Sequence, residues 1–183
     1  MDRKILKTLL ENYRTPFEEE KQFVDDFIAL TDDPIAYSRE RKKGHFTASS
    51  WIVNRRRTHT LLGLHRKLQK WLQLGGHADG NENLLEVAMT EAKEESGLAS
   101  LRLVDRFIFD IDRHIIPTYG EDAQHFHYDV RFLIEAEMDE PLVISPESKS
   151  LAWVSFDMVE ELVGHNISIL RMLEKTSKSE III

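Results

Sequence analysis

A chain of 183 residues, 42% hydrophobic and 31% charged, has enough apolar material for one globular domain, or one domain with a small appendage. A formal net charge of −8 argues against a general nucleic-acid binder, which needs a surplus of Lys and Arg to neutralise phosphates. With no cysteine, disulfides, thiolate zinc sites and cysteine nucleophiles are excluded.

Residues 1 to about 43 are expected to be helical and to pack as an extension on a main domain of residues 44–183. Ile5, Leu6, Leu9 and Leu10 recur at helical spacing, as do Phe23, Phe27 and Leu30 after Pro16. Asp32-Asp33-Pro34 is a stop-and-restart signal. The extension either packs on the main domain, caps a cleft or makes a homodimer contact. Its start carries no secretory core, and Ile181-Ile182-Ile183 is too short to span a membrane, which needs ~20 apolar residues. A cytoplasmic protein without a membrane partner is the expectation.

From Gly44 the pattern changes. His45–Val53 and Thr58–Leu64 read as strands around the polar turn Asn54-Arg55-Arg56-Arg57. Gly75, Gly76 and Gly80 mark a loop before a helix from about Asn83 to Glu95, which Gly97 is placed to end. Leu101–Ile116 and His125–Ala136 read as long strands. A short strand around Trp153-Val154-Ser155 leads into helices near Asp157–Leu162 and Ile167–Leu173. Strands and helices mixed in this order predict an α/β or α+β sandwich.

On the predicted helix, Glu91, Glu94 and Glu95 fall within about 100° of one another at ~100° per residue. Leu85, Ala88, Met89 and Ala92 form a separate apolar stripe centred about 110° away. One face then packs on a sheet while an adjoining edge shows three carboxylates. Such an edge is either a solvated acidic face or a site for a hard cation, which takes oxygen ligands and shares them with phosphates.

The segment Gly76–Leu98 resembles the Nudix box, G-x5-E-x7-R-E-U-x-E-E-x-G-U with U apolar. Gly76, Glu82, Glu91, Ala92, Glu94, Glu95, Gly97 and Leu98 fall at the required positions. With each of the six Gly and Glu matches at roughly 7%, chance accounts for about one start position in ten million. The resemblance implies a Nudix-type α/β/α sandwich with a mixed sheet, following the N-terminal helical segment. It also implies Mg²⁺-dependent hydrolysis of the pyrophosphate bond of a nucleoside diphosphate derivative, with Mn²⁺ as the alternative ion. By position, Glu91, Glu94 and Glu95 would hold the metal, with the Gly75 carbonyl as a further ligand. Gly76, Glu82 and Gly97 would fix the loop–helix geometry, Glu91 would serve catalysis, and Glu147, beside Pro146, is either a general base, a further metal ligand or a surface-loop glutamate. The partner would be a small-molecule nucleotide, with no nucleic acid.

The box Arg is Thr90 here. In the family that Arg orients the catalytic Glu, and Thr offers no charge-assisted fork. Thr90 therefore motivates a second reading: a catalytically weakened Nudix module that binds a nucleotide as a sensor. Gly80 also lies one residue earlier than the Gly that commonly precedes the box Glu, so Asn81 alters the loop.

His125, His127, Asp129 and Arg131 alternate with Phe126, Tyr128, Val130 and Phe132, which puts the polar four on one strand face. That face lines a substrate cleft, holds a second ion at His125, His127 and Asp129, or is a half-exposed sheet surface. Arg66, ahead of the glycine loop, is a candidate phosphate contact, and Trp71 and Trp153 are candidates for base stacking or core.

Overall fold

The computed structural model describes residues 1–118, 120 and 123–178; the terminal Ile181-Ile182-Ile183 lies outside them. Helix α1 (Arg3–Glu11) begins at Asp2, whose carboxylate accepts from Ile5 N at 2.9 Å. Leu6 and Leu10 make its buried stripe. Helix α2 (Glu18–Leu30) buries Phe23, Phe27 and Leu30. Residues 31–43 are turns rather than further helix. Ala36 N donates to Asp33 O and Ser38 N to Ile35 O, three-residue spacings that close single turns around Pro34. Arg41 clamps them through Asp33 at 2.7 Å, and that contact holds the Asp33 carboxyl below its usual range.

The strands are β1 (Gly44–Asn54), β2 (His59–His65), β3 (Trp71–Leu72), β4 (Leu74–His77), β5 (Arg102–Leu103), β6 (Asp110–Ile116), β7 (His125–Ala136) and β8 (Ser148–Ser155). They form one eight-stranded sheet, with the path β3-β2-β1-β7-β5 and β4, β6 and β8 branching onto β1, β7 and β2. With helices α3 (Leu84–Ser96), α4 (Phe156–Val163) and α5 (Ile167–Lys178), this is the expected α/β class.

Two strand expectations change. The run Leu101–Ile116 is not one strand. Leu103 pairs with Ile134 and Asp110 with Arg131, so the chain takes seven steps where β7 takes three. Residues 104–109 loop out, held by Val104 N on Leu133 O and Phe109 N on Arg131 O. The strand near Trp153 is longer than expected, because β8 pairs with β2 from Ser148 to Ser155.

The chain folds as two compact units, each built from three separated stretches. One comprises Met1–Ser49, Gly75–Ala88 and Arg106–Phe132. Inside it, the fully buried Glu20 of α2 accepts from Tyr13 Oη at 2.6 Å, from Thr15 and from the Ile111 amide of β6 at 3.1 Å. A buried carboxylate is tolerated only with such partners. The other unit comprises Ser50–Leu74, Met89–Asp105 and Leu133–Ile183. Its core joins Ile52, Leu61, Leu74, Ala92, Leu98, Ile134 and Ala136, with Met89, Leu142 and Trp153 packed against them.

Gly97 ends α3 at φ +73°, a backbone that L-residues with a side chain avoid. A Cβ there would meet Val143 Cβ at 2.7 Å. Gly97→Ala is expected to cost about 1–2 kcal/mol from the backbone alone, lowering Tm by roughly 2–8 °C for a chain of this size. Thermal unfolding checks this, and an unchanged Tm would show that the turn does not depend on glycine.

Candidate active site

The glycine loop and the start of α3 belong to the first unit. At Gly75 a Cβ would approach the Ala48 carbonyl to 2.6 Å, so only glycine lets β4 run this close to β1. Gly80, at φ +88°, donates its N–H to Tyr37 O at 2.7 Å. Asp79 is gripped by Arg39 at 2.6 Å, and that hydrogen bond lowers its pKa. Asn83 caps the helix, its side-chain oxygen accepting from Glu86 N at 3.3 Å. Glu82 pairs with Arg3 of α1 at 2.7 Å. Arg3 also reaches Pro34 O and lies over the Tyr37 ring. The N-terminal helix thus anchors the acid just ahead of α3, a link that no local sequence pattern announces.

Along α3 the apolar stripe lies elsewhere than expected. Leu84, Val87, Ala88 and Ala92 are buried, while Leu85 and Met89 are only half-buried. At ~100° per residue this rotates the packed face so that Glu95 falls within it, and Glu95 is 8% exposed. Glu91 is half-buried, and Glu94 and Thr90 are exposed. The three carboxylates therefore run from solvent into the packed face instead of forming a separate edge. They are all-oxygen donors at i, i+3 and i+4 spacing, a set that suits a hard divalent cation.

Glu147 is exposed on the loop before β8. Arg66 donates Nε to Pro146 O at 2.8 Å and Nη2 to Ser148 O at 3.0 Å, and its amide donates to Glu147 O. Arg66 is thus spent, in part, on holding the Glu147 loop. Trp153 packs on the core of its unit and Trp71 is half-buried.

The polar face of β7 is half-exposed at one end and buried at the other. His125 and His127 are half-buried, while Asp129 and Arg131 are each 2% exposed. Arg131 binds Asp129 at 2.7 Å, Asp110 at 3.0 Å and Asp112 at 3.3 Å. Thr47 and Ser49 donate further hydrogen bonds to Asp129 at 3.0 and 2.9 Å. Burial opposes the guanidinium charge, but Asp112, Asp129 and Asp110 outweigh it and push the Arg131 pKa above its ordinary value. Asp129 is thereby committed to this network. Among the described residues, one ring nitrogen from each of His45, His77 and His127 lies within 4.8 Å of the others, and the His125 ring stands 5.2 Å from that of His127 and 5.1 Å from that of His45.

A family model of the NUDIX domain matches residues 44–174. No curated protein matches the chain. Among solved structures, an Ap4A hydrolase binary complex from C. elegans is similar at 16% identity and TM-score 0.58, covering 74% of this chain and 96% of that one. A NUDIX-family hydrolase from Clostridium perfringens is similar at 26% identity and TM-score 0.53, covering 74% and 97%. A Nudix hydrolase from M. smegmatis is similar at 19% identity and TM-score 0.56, covering 76% and 89%.

Proposed function

The chain belongs to the NUDIX family of hydrolases acting on nucleoside diphosphate derivatives, and from that premise we propose that it cleaves the pyrophosphate bond of such a substrate with Mg²⁺, or Mn²⁺ in its place. The observation carrying this reading is α3 itself. It ends at Gly97, whose positive φ favours glycine, and it sets Glu91, Glu94 and Glu95 at the family's spacing.

In this reading Glu91, Glu94 and Glu95 hold the ion. When bound, it supplies charge neutralisation at the pyrophosphate oxygens and a water acidified for attack on phosphorus. The residues of the chain do the rest. Gly97 and the Ala92 face fix where the carboxylates stand, and Arg66 fixes the loop that carries Glu147. Glu147 takes the proton of the attacking water. The new P–O bond forms as the anhydride P–O bond breaks, leaving two phosphate-bearing products. The partner is a small-molecule nucleotide, and no described helix is long and apolar enough to cross a membrane.

The test is turnover of ADP-ribose, nucleotide sugars, dinucleoside polyphosphates and dNTPs with Mg²⁺ and with Mn²⁺. The C. elegans relative, an Ap4A hydrolase, makes dinucleoside polyphosphates a natural member of the set. Metal-dependent release of phosphate-bearing products from at least one class is expected. Tight binding without turnover across the set would overturn hydrolysis in favour of the sensing module that Thr90 suggests.

A further inference from the structure

We propose that His45, His77 and His127 form a binding site for a divalent transition-metal ion of the zinc class, distinct from the carboxylates of α3. The three belong to one compact unit but to three strands: His45 opens β1, His77 ends β4 and His127 lies in β7. One ring nitrogen from each lies within 4.8 Å of the others. The ring centroids stand 5.3, 5.1 and 4.8 Å apart.

Their nitrogens are short of partners. His127 Nε2 and both ring nitrogens of His45 are buried and make no hydrogen bond, and His45 is 3% exposed. The Arg41 carbonyl acts on the His45 ring without making a hydrogen bond of ordinary geometry. Buried polar atoms without partners cost free energy, and a metal ion removes that cost. Two further imidazoles stand beside the trio, each with Nδ1 engaged: His125 Nδ1 meets Ala123 O at 2.8 Å and His114 Nδ1 meets Asp112 at 3.1 Å.

The protonation state suits a metal. Burial first, then the charges of Arg39 and His45, lower the His77 pKa to about 4. Burial and the surrounding histidines lower that of His127 to about 2. Burial disfavours the protonated form of all three rings, and neutral imidazole is the form that ligates.

Neutral imidazole selects zinc-class ions over Mg²⁺. Three atoms no more than 4.8 Å apart fit around a point roughly 2.8 Å from each. Closure to ~2.0–2.1 Å, the zinc–nitrogen distance, asks less than about 1 Å of each ring. The ion would clamp β1, β4 and β7 together and leave a fourth position for water.

The full chain, stripped with a chelator, is titrated with Zn²⁺ in competition with a chromophoric chelator. Glu94→Gln, His77→Ala and His127→Ala are titrated alongside. One equivalent is expected to bind wild type and Glu94→Gln alike, and at least about 100-fold more weakly in the histidine variants. Zn²⁺ is expected to raise the wild-type Tm by about 5 °C or more, and Mg²⁺ is not. Co²⁺ in place of zinc is expected to give visible bands that either histidine variant loses. If His127→Ala does not fold, the half-buried His77→Ala decides. No stoichiometric uptake, or wild-type affinity in His77→Ala, would overturn the site and leave the hydrolase reading untouched.

Discussion

Glu94→Gln is expected to lower kcat by two orders of magnitude or more while leaving Tm within about 2 °C of wild type. Glu94 is exposed, and a neutral isostere at an exposed position usually changes stability by no more than ~0.5 kcal/mol. Its effect on turnover is of another size. Metal-borne charge stabilisation is worth several kcal/mol in the transition state, and each ~1.4 kcal/mol is tenfold in rate. The measurement is kcat through a Mg²⁺ titration, with thermal unfolding of the same samples. Turnover within threefold of wild type at saturating Mg²⁺ would remove Glu94 from the metal shell. Glu95→Gln gives a useful contrast, because Glu95 is 8% exposed; there, activity and Tm should change together.

Arg131→Met should be the most damaging single change to stability. It leaves Asp110, Asp112 and Asp129 facing one another with their shared cation gone, Asp110 and Asp129 being almost wholly buried. Breaking a buried pair by removing one partner costs about 3–5 kcal/mol, which is a fall in Tm of roughly 6–20 °C at this chain length. Arg131→Lys should recover only part of the loss, since an ammonium cannot fork to three carboxylates in fixed directions. Asp129→Asn should be milder, because the amide oxygen still accepts from Thr47 and Ser49. Thermal melts of the three variants rank these effects, and a shift below about 2 °C for Arg131→Met would mean that the network is not what holds β6 to β7.

What the sequence disclosed follows the range of the interactions. The stretch Gly76–Leu98 was legible because a loop, a helix and its cap are local, and spacing alone determines which residues meet. The direction of the α3 packed face was not, because Leu84, Leu85, Val87 and Met89 are all apolar and only tertiary contacts choose among them. Alternation in β7 revealed the strand, but not that Asp110 and Asp112 arrive from β6 to bury Arg131. The excursion at 104–109 left little signal, since Val104, Phe107, Ile108 and Phe109 are β-prone and only Asp105-Arg106 interrupts them. His45, His77 and His127 are separated by 32 and 50 positions (45 to 77, 77 to 127), so only strand topology brings their rings together.

The interleaving of the two units bears on how the protein is made. Neither corresponds to a continuous piece of chain: the first needs Met1–Ser49, Gly75–Ala88 and Arg106–Phe132, and the second begins before the first is finished. A nascent chain cannot complete either until the ribosome has delivered β7, which supplies residues to both. Contacts this distant in sequence make loop closure costly and folding slow. Cotranslational folding in steps, common where domains follow one another along a chain, is therefore closed to this fold. Fragments released early in synthesis would show strands β1 and β2 without their later partners, and are the species that chaperones should be found holding.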